Sequence, residues 1–425
     1  MTGFSEQVAV AHRQLGTVLA PTPLQLNMYL SEKHDARVYL KREDLSPVRS
    51  YKIRGAFTFF SEALAGSDPP QRFACASAGN HAQGFSFACR RFDKHGVVFM
   101  PVTTPQQKIM KTQVFGGDNV EIRLTGDSFD EAYGEAIAWC EREGAVLVPP
   151  FNDERIITGQ ATVAKEITEQ FAEQFTGQGA DASIDLVILP VGGGGLAAGV
   201  TRYFAEQSPA TQFVFVEPDE APSLYESLKA GKRVRLEQID TFVDGAAVAR
   251  IGGLNFDALK RFDVSQVVLA PTNGLCATML EMLNHEGIVL EPAGALSVDA
   301  LKRVPAQMIA GKNVVCITSG GNFDFERLPE VKERALKFEG LKKYFVLRMP
   351  QRPGALKDFL FMLEPEDDIA RFEYLKKSAR NFGSVLIGIE TSKPENFNKL
   401  KAKLTQSGMR YQDITDNDIL ASLIV

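Results

Sequence analysis

The chain has 425 residues, of which 44% are hydrophobic and 24% charged, and its formal net charge is −6. This length allows two or three units with cores of their own, and the acidic balance argues against a nucleic-acid partner. The N-terminal residues show no signal-peptide pattern, and no apolar run approaches the roughly 18 residues that span a membrane. We therefore expect a soluble, cytoplasmic protein. The five cysteines are odd in number and scattered in apolar runs, which predicts buried thiols rather than disulfides.

Short apolar strands alternate with helical stretches along most of the chain. This rhythm predicts βαβ units and mainly parallel sheets, which is an α/β fold. The strands are expected at Val38–Lys41, Phe73–Ala76, Gly96–Pro101, Val120–Leu124, Ala145–Val148, Leu186–Pro190, Phe213–Glu217, Val267–Ala270 and Val314–Thr318. Open α/β sheets bind ligands at the carboxyl ends of their strands, so the loops that follow these strands are the candidate sites.

The first candidate residue is Lys52, in the run S-Y-K-I-R-G-A at the expected start of a helix. An aromatic neighbour and a small Gly-Ala pair allow a ligand to come close, and a lysine in such a place can form a Schiff base with a carbonyl cofactor. Taken alone, the spacing favours a surface lysine at a helix N-terminus. Three further segments change that balance.

The second segment is A-S-A-G-N-H-A-Q-G, which follows the strand Phe73–Ala76. Its small residues predict another helix start, where backbone N–H groups can hold a carboxylate. The amide of Asn80 can reach a ring oxygen. A packed or capping histidine explains His81 as well as a catalytic one does.

The third segment places four glycines, Gly192–Gly195, between the strand Leu186–Pro190 and an Ala-rich helical stretch. Successive backbone N–H groups in such a loop converge on an anion, and the helix N-terminus adds partial positive charge. The loop contains no lysine or arginine and no Walker pattern, which excludes a typical nucleotide triphosphate site. The segment therefore predicts a phosphate site of another kind.

The fourth segment, T-S-G-G-N, ends the strand Val314–Thr318. The hydroxyl of Ser319 lies at a strand's carboxyl end, where it can meet a ring nitrogen. By itself the segment is a glycine turn.

The alternation of single strands and helices ends near residue 335. The run Glu326–Lys343 is dense in alternating charge and predicts a solvated helix or neck. Beyond it, the order strand, helix, strand, strand, helix, strand predicts a ferredoxin-like unit. Its strands are expected at Tyr344–Met349, Ile369–Leu375, Val385–Glu390 and Met409–Ile414, and its helices at Pro353–Leu363 and Asn396–Leu404.

Together, and in this order, the four segments resemble those of the fold type II pyridoxal-phosphate enzymes (tryptophan synthase β-like), and most of all the threonine dehydratase (threonine deaminase) family. The runs Pro150–Gln160, Val243–Val248 and Glu291–Ala295 are similar to that family too, so the resemblance covers about residues 15–335. The run M-P-Q-R-P-G-A-L resembles the ACT-like regulatory domain of biosynthetic members, of which one copy fits the remaining chain. The resemblance thus implies a catalytic domain at 1–335, with a smaller mobile subdomain at about 57–155, and a regulatory domain at 336–425.

The resemblance also implies the role of each motif residue. Lys52 would hold pyridoxal phosphate and take the Cα proton, Gly192, Gly193, Gly194, Gly195 and Leu196 would bind the phosphate, Asn80 would bond the ring hydroxyl, and Ser319 the ring nitrogen. Ser77, Gly79, Asn80 and His81 would hold the substrate carboxylate, Tyr374 would contact an effector, and Phe151 and Glu291 are candidate pocket residues. A neutral serine hydroxyl at the ring nitrogen makes a poorer electron sink than aspartate, which suits elimination of a β-substituent.

The implied reaction is the conversion of L-threonine to 2-oxobutanoate and ammonia, with L-serine giving pyruvate. In biosynthetic members this reaction begins isoleucine synthesis. The resemblance implies feedback by isoleucine, with valine as an opposing effector, and a homodimer or homotetramer.

Several alternatives stay open. A catabolic serine/threonine dehydratase shares the chemistry, although the C-terminal extension favours a feedback-controlled enzyme, and threonine synthase is more distant. Related serine racemases carry a serine where this chain has Ala78, and some bind a divalent cation beside a V-E-P segment. Glu217 and Ala221 match that segment, but Ser223 stands where an acid is expected, so we predict no metal. A catalytically inactive amino-acid sensor is the remaining alternative, against which the intact Lys52 argues.

Overall fold

The structure is a computed structural model that describes residues 3–175, 183–375 and 381–417. The chain divides into two compact units. One comprises Met1–Thr272 and Met282–Asp324, and the other comprises Asn273–Glu281 and Phe325–Val425. Within the described ranges, no helix has both the length and the apolar character needed to cross a membrane.

The helices and strands are numbered separately in chain order. The strands are β1 (Leu24–Leu26), β2 (Arg37–Arg42), β3 (Arg72–Ala76), β4 (His95–Met100), β5 (Val120–Leu124), β6 (Val146–Leu147), β7 (Leu186–Pro190), β8 (Gln212–Pro218), β9 (Val267–Ala270), β10 (Asn313–Thr318), β11 (Lys342–Pro350), β12 (Asp367–Leu375), β13 (Phe382–Thr391) and β14 (Arg410–Asp413). The helices are α1 (Phe4–Leu15), α2 (Met28–His34), α3 (Lys52–Ala63), α4 (Asn80–Arg91), α5 (Gln106–Gly116), α6 (Phe129–Glu143), α7 (Glu154–Phe175), α8 (Gly195–Gln207), α9 (Ser223–Ala230), α10 (Gly253–Leu259), α11 (Thr272–Glu286), α12 (Pro292–Asp299), α13 (Ala306–Ile309), α14 (Leu328–Phe338), α15 (Ala355–Leu360) and α16 (Asn396–Gln406).

The first unit contains two sheets. The larger has the strand order β1-β2-β10-β7-β8-β9 and is parallel except for β1, which pairs antiparallel with β2. The smaller has the order β5-β4-β3-β6 and is parallel throughout. The predicted α/β fold is therefore confirmed, and each strand expected in this unit is present to within one residue at either end. The short strand β1 was not predicted, because three residues with only one buried side chain carry little periodic signal.

Aromatic packing builds the core beside the smaller sheet. Phe60 of α3 stacks on Phe73 of β3 with ring centroids 4.2 Å apart, and Phe85 of α4 meets Phe60 edge to face at 5.7 Å. These rings are fully buried and belong to one cluster with Cys75 and Cys89. All five cysteines lie among the described residues and are buried thiols outside any disulfide, as predicted.

The second unit contains the predicted ferredoxin-like arrangement. Its sheet has the order β12-β13-β11-β14 with every pair antiparallel, and α15 and α16 supply Phe359 and Phe397 to the core against Phe345 and Ile387. The charged run Glu326–Lys343 is only partly the expected helix. Its helix, α14, ends at Phe338, and β11 already begins at Lys342.

Lys342 does not lie on the expected solvated helix, because its side chain is nearly buried and pairs with two carboxylates. Its Nζ lies 2.6 Å from a carboxylate oxygen of Glu333 and 2.9 Å from one of Glu390. Two carboxylates around one lysine compensate the loss of its hydration, so a charged residue can begin a strand here.

Arg54, two residues after the start of α3, belongs to a cluster of four buried charges. Its guanidinium donates to Glu43 at 2.8 Å and to Glu166 at 2.7 Å, and Lys41 Nζ donates to Glu166 at 2.6 Å. All four side chains are 3% exposed or less. Burial raises the pKa of Glu166, but Arg54 and Lys41 outweigh burial and lower that pKa below its ordinary value. Two cations and two anions thus neutralise each other between β2, α3 and α7.

We predict that Arg54→Met lowers the free energy of unfolding by about 3–5 kcal/mol, because it leaves the carboxylate of Glu43 buried without a cation. Urea unfolding at neutral pH measures this change. Lys165→Met is the matched control, since it breaks a solvated pair with Glu169 and should cost less than about 1 kcal/mol. A loss for Arg54→Met no larger than the control's would contradict the prediction.

Candidate active site

Lys52 begins α3, as the sequence predicted, and its ammonium lies in a largely aromatic pocket. Nζ donates to the carbonyl oxygen of Pro150 at 2.9 Å and lies 5.4 Å from the ring centroid of Tyr51 and 6.0 Å from that of Phe151. Burial lowers the pKa of Lys52 to about 8, although the charge of Glu291 opposes the shift. Near neutral pH a fraction of this amine is therefore unprotonated and can act as a nucleophile or a base.

The backbone of the Lys52 segment is tied to the turn after β10. The N–H of Tyr51 donates to the carbonyl oxygen of Ser319 at 3.2 Å, and the N–H of Gly321 donates to the carbonyl of Arg49 at 2.9 Å. The Ser319 hydroxyl is buried and donates to the carbonyl of Ala293 at 3.1 Å, so its lone pairs remain available to a donor. The first and fourth predicted segments are therefore neighbours.

The glycine loop joins β7 to α8 and depends on the absence of side chains. A Cβ on Gly193 would overlap the ring of Phe151, and a Cβ on Gly192 would lie 2.8 Å from the Cα of Ala246. Gly194 has φ = +87°, in the left-handed region that favours glycine. Because Phe151 contacts both Gly193 and the Lys52 ammonium, it brings the loop and the lysine together.

Asn255 binds the backbone of the glycine loop, a role that the sequence did not predict. Its Nδ2 donates to the carbonyl oxygen of Gly193 at 2.6 Å and to that of Phe151 at 3.1 Å. The N–H of Gly252 also donates to the Gly193 carbonyl, at 3.2 Å. Because the Gly193 carbonyl is held by these two donors, the loop keeps one backbone orientation. The only sequence signal was the Gly252-Gly253 pair, which marks a turn but no partner.

Asn80 begins α4 and lies between Glu291 and Asn322. Its Nδ2 donates to Glu291 Oε1 at 2.6 Å, and its Oδ1 accepts from Asn322 Nδ2 at 2.7 Å. Burial, reinforced by the charge of Asp244, raises the pKa of Glu291 to about 7. A Cβ on Gly320 would overlap the Glu291 carboxylate, so the turn after β10 packs directly on this residue. The sequence named Glu291 only as a candidate and gave Asn322 no role.

The loop that contains Ser77 and Gly79 is half-buried, and the N–H of Gly79 donates to Ser77 Oγ at 3.2 Å. His81 is buried, with Nε2 3.0 Å from the carbonyl oxygen of Val148. Burial, together with the Lys52 charge, lowers the pKa of His81 to about 3. The imidazole is therefore neutral and packed, which is one of the two alternatives that the sequence left open. The proposed contact of this loop with a carboxylate stays a prediction.

Glu217 of the V-E-P segment caps a helix. Its carboxylate accepts from the N–H of Leu224 at 2.7 Å and from that of Tyr225 at 2.8 Å, at the N-terminus of α9. Burial raises the pKa of Glu217 to about 8, although these N–H groups oppose the shift. In residues 3–175, 183–375 and 381–417, no group of three His, Cys, Asp or Glu side chains is arranged to hold a metal ion.

Tyr374 lies in the second unit, on the edge strand β12. Its side chain is 40% exposed, and a Cβ on Gly383 of β13 would lie 2.6 Å from its ring. The ring therefore lies across the glycine of the neighbouring strand and leaves part of its surface open to a ligand. Its role in effector binding stays a prediction.

Known proteins are similar to this chain over its whole length. Residues 16–320 match a family described as pyridoxal-phosphate dependent enzyme, and residues 333–424 match the C-terminal regulatory domain of threonine dehydratase. A biosynthetic L-threonine dehydratase, IlvA, of Staphylococcus saprophyticus is 45% identical over 426 residues, covering 100% of this chain and 99% of the relative. The protein of the same name from Halalkalibacterium halodurans is 43% identical and covers 99% of both chains. The structure of the processed form of threonine deaminase isoform 2 from Solanum lycopersicum is similar with a TM-score of 0.69 and 36% identity, covering 78% of this chain and 93% of that one.

We predict that Gly193→Ala abolishes measurable binding of pyridoxal phosphate, because the added methyl group overlaps the Phe151 ring and displaces the loop. Titration of the cofactor-free protein, followed by absorbance, measures the affinity. Gly134→Ala is the matched control: Gly134 lies inside α6 with no atom within 4 Å of an added Cβ, so alanine should leave binding unchanged. Wild-type affinity in Gly193→Ala would show that the loop does not hold the cofactor.

Proposed function

Because this chain belongs to the threonine dehydratase family of pyridoxal-phosphate-dependent enzymes, we propose that Lys52 is its cofactor-binding lysine and that the pocket around Lys52 is its active site. The enzyme converts L-threonine to 2-oxobutanoate and ammonia, and L-serine to pyruvate and ammonia. This reaction is the first step of isoleucine biosynthesis. The observation that carries the proposal is that four segments distant in sequence meet around one buried lysine amine.

The residues present fit pyridoxal phosphate. Lys52 offers a primary amine to an aldehyde, in a pocket that lowers its pKa to about 8 through burial. The loop from Gly192 to Gly195 carries no side chains, and the first N–H groups of α8, including that of Leu196, have no acceptor inside the helix. The Ser319 hydroxyl would meet the ring nitrogen and the Asn80 amide the ring hydroxyl.

When bound, the cofactor supplies an electron sink for the negative charge that develops at Cα. The protein supplies the base: the unprotonated amine of Lys52 takes the proton from Cα. The N–H groups of the loop from Ser77 to His81 would hold the substrate carboxylate and so orient the Cα–H bond toward Lys52. The rings of Tyr51 and Phe151 flank the half-buried amine. The β-hydroxyl leaves as water, and hydrolysis of the released enamine gives the 2-oxo acid and ammonia.

Ala78 supports elimination over racemisation. Reversal of the configuration at Cα needs a second proton donor on the opposite face of the substrate, and alanine offers none at the position where related racemases have serine. Ser319 favours elimination over transamination, because a neutral hydroxyl does not fix a positive charge at the ring nitrogen.

We predict that the purified protein releases 2-oxobutanoate from L-threonine and that Lys52→Ala lowers kcat by at least about a hundredfold, since alanine can neither hold the cofactor nor move the proton. A coupled assay for 2-oxo acids measures both rates. Lys94→Ala is the control, because Lys94 is a half-buried lysine whose bond to Gln71 is exposed to solvent. Substantial turnover by Lys52→Ala would contradict the assignment, and formation of D-serine from L-serine as fast as pyruvate would favour a racemase.

The match to a threonine dehydratase regulatory domain supports a small-molecule effector, and we propose that the effector is isoleucine, opposed by valine. Isoleucine is the end product of the pathway that the reaction begins. Inhibition requires that isoleucine bind the less active state more tightly. Equal affinity for both states would leave their populations unchanged. The exposed part of Tyr374 is the candidate contact.

We predict that Tyr374→Ala weakens inhibition by isoleucine about tenfold, as expected for the loss of one good contact. The threonine saturation curve, measured over a range of isoleucine concentrations, gives the inhibition constant. Phe372→Ala is the matched control, since Phe372 is 37% exposed on the same face of the same strand. The contact is refuted if both variants keep wild-type inhibition, and isoleucine is not the effector if the wild type shows none.

The remaining predictions stay proposals. We place the catalytic domain at residues 1–335, with a smaller mobile subdomain at about 57–155, and the regulatory domain at 336–425. We also propose a homodimer or homotetramer in the cytoplasm, where amino-acid biosynthesis takes place.

A further inference from the structure

A chain of hydrogen bonds runs through Asn80, and each residue in it donates to the next. Lys111 Nζ of α5 donates to Asn322 Oδ1 at 3.4 Å, Asn322 Nδ2 donates to Asn80 Oδ1 at 2.7 Å, and Asn80 Nδ2 donates to Glu291 Oε1 at 2.6 Å. The chain thus begins at a cation and ends at a carboxyl group. Hydrogen bonds arranged head to tail in a poorly solvated site polarise one another.

Asn322 is the member of this chain whose orientation is fixed from both ends. An ammonium can only donate and a backbone carbonyl can only accept. Lys111 therefore requires the oxygen of the Asn322 amide, and the carbonyl of Val48, 2.9 Å from Nδ2, requires its nitrogen. The Asn322 amide cannot rotate by 180° without losing both partners.

Glu291 alone does not fix the Asn80 amide. Burial raises the pKa of Glu291 to about 7, so near neutral pH its carboxyl group is present both ionised and protonated. A protonated carboxyl group can donate as well as accept, and either end of the Asn80 amide can then face it. The donor on Asn322 accordingly decides which way Asn80 points.

We propose that Asn322, held by Lys111 and Val48, is a positioning residue that directs an N–H of Asn80 toward the ring hydroxyl of the bound cofactor. The proposal rests on the role given above to Asn80. The nitrogen of that amide carries two hydrogens, of which one goes to Glu291 and the second remains for the cofactor. If the amide were reversed, its oxygen could bond the ring oxygen only while that oxygen carries its proton, and it would repel the ionised ring oxygen.

The test uses two ligands that differ only at the ring hydroxyl. Cofactor-free, full-length protein is titrated with pyridoxal phosphate and with 3-deoxypyridoxal phosphate, which lacks that hydroxyl. Asn322→Asp keeps the size of the side chain and removes its N–H donors. We expect this variant to bind pyridoxal phosphate about tenfold more weakly and the deoxy analogue less than about twofold more weakly.

Lys111→Met should show the same selective loss of affinity to a smaller extent, because Val48 still holds one end of Asn322. Lys111→Arg should bind both ligands as the wild type does, since a guanidinium, like an ammonium, only donates. Lys94→Met, which breaks an exposed bond to Gln71, should change neither affinity. Thermal unfolding of each cofactor-free variant measures structural damage, which would weaken both ligands alike.

Asn80→Ala distinguishes failure of the role proposed for Asn322 from failure of the role proposed for Asn80. If Asn80→Ala loses affinity only for pyridoxal phosphate while Asn322→Asp binds both ligands as the wild type does, the positioning role of Asn322 is overturned and that of Asn80 survives. If neither variant distinguishes the ligands, both roles are overturned. Equal weakening of both ligands by Asn322→Asp also overturns the proposal, because it indicates a general structural defect.

Discussion

The buried charges around Arg54 are the constraint on which the active site depends most. Arg54 lies two residues after Lys52 in the first turn of α3, and it donates to Glu43 after β2 and to Glu166 in α7. Charges without solvent tolerate little movement, because each displaced partner leaves an ion buried and unpaired. The network therefore fixes the first turn of α3, and with it the lysine that we assign to the cofactor. It does so without placing a net charge beside Lys52.

The second constraint is the absence of side chains where backbones meet. Gly192 and Gly193 let the loop after β7 pack on Ala246 and Phe151, and Gly320 lets the turn after β10 pack on Glu291. Each contact excludes even a methyl group. Helix N-termini, whose first N–H groups have no acceptor inside the helix, and strand ends consequently lie around Lys52 with little intervening bulk. A phosphate and a carboxylate can both be bound there without any lysine or arginine in the loop.

The sequence predicted every strand except β1, Lys52 at a helix start, the glycine loop and the Ser319 turn, because each has a local pattern. It did not predict the roles of Asn322, Asn255 or the Arg54 network. The partners of these residues are distant in the chain: Asn322 bonds Asn80 and Arg54 bonds Glu166, and a single sequence has no periodicity that links such positions. The position of Lys342 in a strand was missed for the same reason, since its carboxylate partners come from α14 and β13. Local patterns indicated a carbonyl cofactor, a phosphate and a carboxylate, and the resemblance to a family supplied the identity of the cofactor and of the expected effector.

The central claim is that Lys52 carries the cofactor. The most direct test is reduction of the cofactor-loaded protein with borohydride, followed by proteolysis and mass spectrometry. We predict a pyridoxyl group on the peptide that contains Lys52 and on no other peptide, since this amine lies beside the glycine loop and burial lowers its pKa to about 8. A label on Lys111, on Lys108 or on any other lysine, with Lys52 unmodified, would contradict it.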